Sequence, residues 1–121
     1  MIKVKRVYDE AENDDGKRFL VERLWPRGIK KESIKCEWLK DVAPDTKLRK
    51  WFNHEPEKWE EFKKRYFAQL ENNRHYLEPI LNAAKNGNVT LLYSARDRIH
   101  NGAIVLKEYI ESLTHEVDSN T

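Results

Sequence analysis

The chain has 121 residues, 23 lysines and arginines against 21 acidic residues, and a formal net charge of +2. That length suits one domain around one modest core, and 39% apolar residues with 11% aromatics supply it. The charged fraction is 36%, but the two signs nearly cancel, so the composition gives no reason to expect disorder and no support for a basic nucleic-acid stripe.

No apolar run approaches the roughly 20 residues that cross a bilayer. Met1-Ile2-Lys3-Val4-Lys5 alternates apolar and basic residues and carries no apolar signal-peptide core. The single cysteine, Cys36, forms no intramolecular disulfide and makes no zinc site by itself. The expectation is a cytoplasmic protein without a membrane partner, read as one domain over 1–121 with a frayed tail at 114–121.

Residues 2–8 alternate as a short first strand, and Asp14-Asp15-Gly16 closes the acidic loop after it. Arg18 to Trp25 reads as a second strand with imperfect alternation, buried in part on both faces and stopped by Pro26 and Gly28. Residues 26–45 show no period. A segment this long is functional or hides short elements, and Trp38 and Leu39 pin its middle to the core.

Asp45 is a fitting N-cap for a short helix over 46–53. Residues 56–72 carry the clearest helix, with Trp59, Phe62, Tyr66 and Leu70 on one face and favourable Glu60–Lys64 and Glu61–Arg65 spacings. A third helical segment spans 74–86 and ends at Gly87. Val89 to Tyr93 is nearly all apolar and fits the centre of a sheet. Asn101 caps a last helix with Ala103, Leu106, Ile110 and Leu113 on its apolar face. The helices between the second and third strands are long enough for a crossover, so those strands are parallel. The fold class is α/β, a small, mostly parallel sheet with helices packed on it.

Ligands of open α/β sheets lie beyond the carboxyl ends of the strands. Two loops leave such ends here: Arg23 to Gly28, and Ser94 to Gly102. In the second loop His100 has proton-transfer chemistry near neutral pH, and Asp97 can orient it. Arg23, Arg27 and Arg96 offer forked donors to a phosphate or carboxylate. Trp25 can cover a ligand, Ser94 is a further binding candidate, and Asn101 and Gly102 suit a close backbone approach at a helix N-terminus. Each has a structural reading as well: Arg23 as an ion-pair partner, Trp25 as a core aromatic, 26–28 as a rigid turn, Ser94 and Asp97 as helix caps. No metal ligand set is present: no two histidines have the spacing of a zinc helix, and His75 and His115 read as exposed. Lys35 beside Cys36 is not enough to make a reactive thiol.

Three stretches, Arg23-Leu24-Trp25-Pro26-Arg27-Gly28, then Leu48 to His54, then Val89 to Asp97 with His100-Asn101, resemble the YeaO-like branch of the domain-of-unknown-function family 488. The likeness runs from about residue 2 to residue 113. It implies a small single-domain α/β protein and carries no established activity. The broader family resembles a set with a Cys-containing segment after its last strand; the matching Tyr93-Ser94-Ala95-Arg96-Asp97 has no sulfur.

The function expected is binding or turnover of a small anionic molecule at the strand ends. Arg23, Trp25, Arg27, Ser94, Arg96 and Asn101 then bind, and His100 with Asp97 handles protons. One alternative is non-covalent haem binding, with His54 or His100 as axial ligand and Trp51, Phe52 and Tyr93 as pocket walls. Another is a protein or RNA interaction module on 26–45, although the charge balance argues against nucleic acid. The sequence names no cofactor, metal, enzyme class or oligomeric state.

Overall fold

The computed structural model describes residues 1–119, with side chains through Leu113. The frayed tail read for 114–121 and the exposure read for His115 lie outside the described side chains. Strands β1 (Ile2–Arg6), β2 (Lys17–Leu20), β3 (Glu37–Trp38) and β4 (Val89–Tyr93) form one sheet in the order β1-β4-β2-β3. Every pairing is parallel. Helices α1 (Thr46–Phe52), α2 (Trp59–Asn72), α3 (Glu78–Asn86) and α4 (Gly102–Ser119) complete the fold.

β4 is buried throughout because it lies between β1 and β2 and is covered on both faces. The alternation of a strand sends Val89, Leu91 and Tyr93 into the helix-side core, where Phe19, Tyr66, Leu106 and Ile110 meet them. Leu92 faces the other way and joins Val7 and Leu20 beneath Trp25, Ile29, Ile34, Cys36 and Trp38. Phe19 and Leu20 are therefore adjacent in sequence and both fully buried. The unpatterned 26–45 segment is the lid of the second face, and it contains β3, a strand too short to show a period.

The second strand is shorter than its sequence pattern. Its ladder with β4 stops at Leu20, and the chain from Val21 continues with one further bond, Val21 N–H to the Leu92 carbonyl at 3.1 Å. Both predicted helices with a proline near the start begin as 3-10 turns, over Pro56–Lys58 and Arg74–Leu77. α2 buries Phe62, Tyr66 and Leu70, at about 1.5–3 kcal/mol for each fully buried apolar side chain. Glu61 pairs with Arg65 at 2.9 Å as its spacing predicts, whereas Lys63 reaches across to Glu108 on α4 at 3.3 Å. No helix among the described residues is long and apolar enough to cross a membrane.

Candidate functional site

The carboxyl ends of β2 and β4 open on one edge of the sheet, as parallel strands require. Between this edge and the α1–α2 junction lies a cleft of about 200 Å³. Its floor is Val21, Glu22, Tyr93, Ser94 and Ala95; Asn101, Gly102 and Ala103 bring the N-terminus of α4; Arg49, Phe52, His54 and Phe62 form the far wall.

Glu22 arrives on the short extended continuation of β2. Its Oε1 accepts from the Ser94 amide at 2.7 Å and from the Ser94 hydroxyl at 3.0 Å. A carboxylate of the protein itself therefore occupies the first free donors beyond β4. Its other oxygen, Oε2, accepts no hydrogen bond among the described residues.

The β4–α4 loop folds around Asp97. Asp97 Oδ1 accepts from the Ile99 and His100 amides, both at 2.9 Å, and Oδ2 lies 2.9 Å from His100 Nδ1. Those two amides, followed by the imidazole, hold the Asp97 carboxyl at about 2 against an ordinary 3.8. With Nδ1 held by Asp97, Nε2 is the ring nitrogen left to bond a ligand. The His100 ring also packs T-shaped against Trp59, with centroids 5.1 Å apart. Asn101, only 4% exposed, accepts from Ile104 N at 3.0 Å and caps α4, while its Nδ2 donates to the Asp97 carbonyl at 3.0 Å.

The far wall holds two consecutive non-glycine residues at positive φ, Asn53 at 48° and His54 at 55°. Asn53 ends α1 as a left-handed cap, its amide donating to the Arg49 carbonyl. The reversal brings the exposed His54 to the cleft, where Phe52 stacks on Phe62 with centroids 4.4 Å apart. Non-glycine residues in this region each cost of the order of 1–3 kcal/mol, and such strain clusters at functional sites. Arg49, one turn before the reversal, places an exposed guanidinium on the rim with no ion-pair partner among the described residues.

Of the residues expected from sequence, Ser94, His100, Asn101, His54, Phe52 and Tyr93 line this cleft, and Asp97 supports it through His100. Arg23, Trp25, Arg27 and Arg96 do not line it. Arg23 donates from Nη2 to the Ala43 carbonyl at 2.9 Å and lies 3.7 Å from Asp41, bracing the 39–45 segment, while its Nε is buried without a partner. Trp25 donates to the Ile29 carbonyl at 2.6 Å and packs edge-on against Trp38, 5.4 Å between centroids, on the opposite face of the sheet. Arg27 and Arg96 are exposed.

Glu22 and Arg49 are the charged cleft residues that the sequence reading missed. Glu22 stood inside the second-strand pattern as an ordinary polar position. Arg49 and His54 lie within the Leu48–His54 stretch that carries the family resemblance, which was the available signal.

Two further groups are structural. Glu12, Asp14 and Asp15 lie close enough to hold a cation, but lysines already meet them: Lys3 on Asp14 at 2.6 Å, Lys5 on Glu12 at 3.1 Å and on Asp15 at 3.2 Å. The buried Asp15 also accepts from the Glu12 amide, so this cluster pins the loop between β1 and β2. Burial pushes the half-buried Cys36 thiol up, opposite to the shift of a reactive thiolate.

Comparison with known proteins gives the family. The model described as "Inactive DUF488-N3 subclade" matches residues 1–121. The uncharacterized protein YeaO of Escherichia coli is 44% identical over 113 residues, 93% of this chain and 98% of its own. The uncharacterized protein Rv3073c of Mycobacterium tuberculosis is 47% identical over 70 residues, 57% of this chain and 59% of its own. No solved structure matches the chain. A full-length family match and a relative that covers nearly the whole chain agree with the motifs at both strand ends: the chain belongs to the DUF488 family, is YeaO-like, and matches the model of the inactive N3 subclade.

Proposed function

We propose that this protein binds a small metabolite by its phosphate or carboxylate group in the cleft beyond β2 and β4, without turning it over. The observation that carries this reading is Arg49: an unpartnered guanidinium on the rim of the same cleft that receives the N-terminus of α4 and the imidazole of His100. A phosphate or carboxylate there meets a forked cation, backbone amides and a helix dipole of matching sign. His100, oriented by Asp97, offers its other ring nitrogen as a further hydrogen-bonding group.

Binding without chemistry is favoured on two grounds. The family model is described as inactive. The hydroxyl of Ser94 donates to Glu22 rather than to His100, so the cleft holds no nucleophile–histidine–carboxylate relay. Haem binding is disfavoured by size. About 200 Å³ is below the roughly 300–1,000 Å³ of sites for drug-sized ligands, and a macrocycle needs more. Trp51, named as a wall of that pocket, instead lies under Arg65, 4.1 Å from guanidinium carbon to ring centroid.

The test is a titration of the protein with inorganic phosphate, acetate, propionate and L-alanine, followed by amide chemical shifts and thermal stability. At least one of these probes is expected to shift the amides of Ser94 and Gly102 to Ala103. Arg49→Ala is expected to weaken it at least tenfold, while Arg27→Ala and Arg96→Ala leave it unchanged. The reading is overturned if none of the probes binds, or if Arg49→Ala binds as the wild type does.

A further inference from the structure

Resting on that binding reading, we infer that the ligand of the cleft is a zwitterion, a small amino acid or similar amino carboxylate, whose ammonium group is held by Glu22. Both Ser94 donors converge on Glu22 Oε1, at 2.7 and 3.0 Å. These bonds fix the plane of the carboxylate and leave Oε2 without a partner among the described residues, in a cleft that Glu22 lines. Arg49, equally without a partner among them, lines the same cleft from α1. The site thus offers one fixed acceptor of negative charge and one forked donor of positive charge.

A simple anion satisfies only half of this arrangement. It gains Arg49 and the amides of α4 but adds a negative charge beside Glu22, and in a partly desolvated cleft that repulsion is not screened as in bulk water. An amino carboxylate satisfies both halves. Its carboxylate meets Arg49 and the helix end, and its ammonium donates a charge-assisted hydrogen bond to Glu22 Oε2. Val21, Phe52 and Phe62 supply an apolar surface for a short side chain. The volume of about 200 Å³ limits the ligand to a small molecule.

The experiment compares matched pairs that differ only in the amino group: L-alanine with propionate, and L-valine with isovalerate, titrated into wild type, Glu22→Gln and Arg49→Ala. Glutamine keeps an oxygen for the Ser94 donors, so Glu22→Gln retains the fold. Wild type is expected to bind each amino acid at least tenfold more tightly than its deaminated partner, and Glu22→Gln to remove that preference. The inference is overturned if propionate and isovalerate bind as well as the amino acids, or if Glu22→Gln keeps the preference. In either case Arg49-dependent binding of the carboxylates leaves the anion-site reading standing. If neither member of either pair binds, this inference fails; the anion-site reading then fails too unless phosphate or acetate binds through Arg49.

Discussion

Glu22 Oε1 takes two hydrogen bonds from a single residue, the amide and the hydroxyl of Ser94. The contact joins the end of β2 to the end of β4, which the backbone ladder has already left. Glu22→Ala strands a part-buried amide and hydroxyl. The expected loss is about 1–3 kcal/mol, measured by urea unfolding. Glu22→Gln keeps an acceptor and is expected to lose less than the alanine variant.

Asp97 should make the protein acid-sensitive in a defined window. Its carboxyl is held at about 2 by the His100 and Ile99 amides, and Asp9 is held at about 2 chiefly by Arg98. Each folded-state value is below the ordinary 3.8, so the stabilisation is fully present above pH 3.8 and disappears as pH falls through about 2. Wild type is therefore expected to lose thermal stability between these limits. Asp97→Asn should be less stable than wild type near neutral pH, with the gap closing in acid. A gap that stays constant with pH would disprove the linkage.

Gly16 and Gly28 both have positive φ, at 65° and 75°, but different surroundings. A Cβ at Gly16 would collide with the backbone carbonyl of Asn88, whereas one at Gly28 meets open space. Gly16→Ala should cost roughly 2–4 kcal/mol, from left-handed strain plus a backbone clash. Gly28→Ala should cost only the strain, about 1–2 kcal/mol. Equal melting temperatures for the two variants would refute the packing argument.

Trp25 distinguishes a structural aromatic from a ligand platform. Its indole N–H is committed to Ile29, and its ring packs on Trp38 away from the cleft. Trp25→Ala is expected to destabilise by about 3 kcal/mol, the low end for a tryptophan because this one is only half-buried, and to leave the affinity for any ligand of the cleft unchanged. A large loss of affinity in a folded variant would return Trp25 to the site.

The short-range features were legible where one physical signal dominated. Asp45 caps α1 through Leu48 N at 2.8 Å, as its position before the helical run implied. Val89–Tyr93 is the central strand because a strand buried on both faces must be apolar throughout. The second strand was read too long, since Val21 to Trp25 keeps an extended, apolar-rich sequence after its ladder has ended at Leu20. β3 was invisible because two residues carry no periodicity. At the site, His100 with Asp97 was legible from a three-residue spacing within one loop.

The sequence by itself determined the parallel α/β class, the shared edge on which the loops after β2 and β4 open, and the Asp97–His100–Asn101 turn. Each follows from local chemistry: apolar pattern, crossover length, side-chain bonds between near neighbours. Tertiary structure alone decided which cation faces the cleft. Arg23 is turned onto the Ala43 carbonyl, Arg27 and Arg96 lie outside the cleft, and Arg49 arrives from a helix that sequence does not place beside β4. It also decided that Glu22 meets Ser94 across 72 residues of chain. Such meetings depend on strand order and on where helices dock, and those are set by burial summed over the whole core rather than by any segment's own pattern.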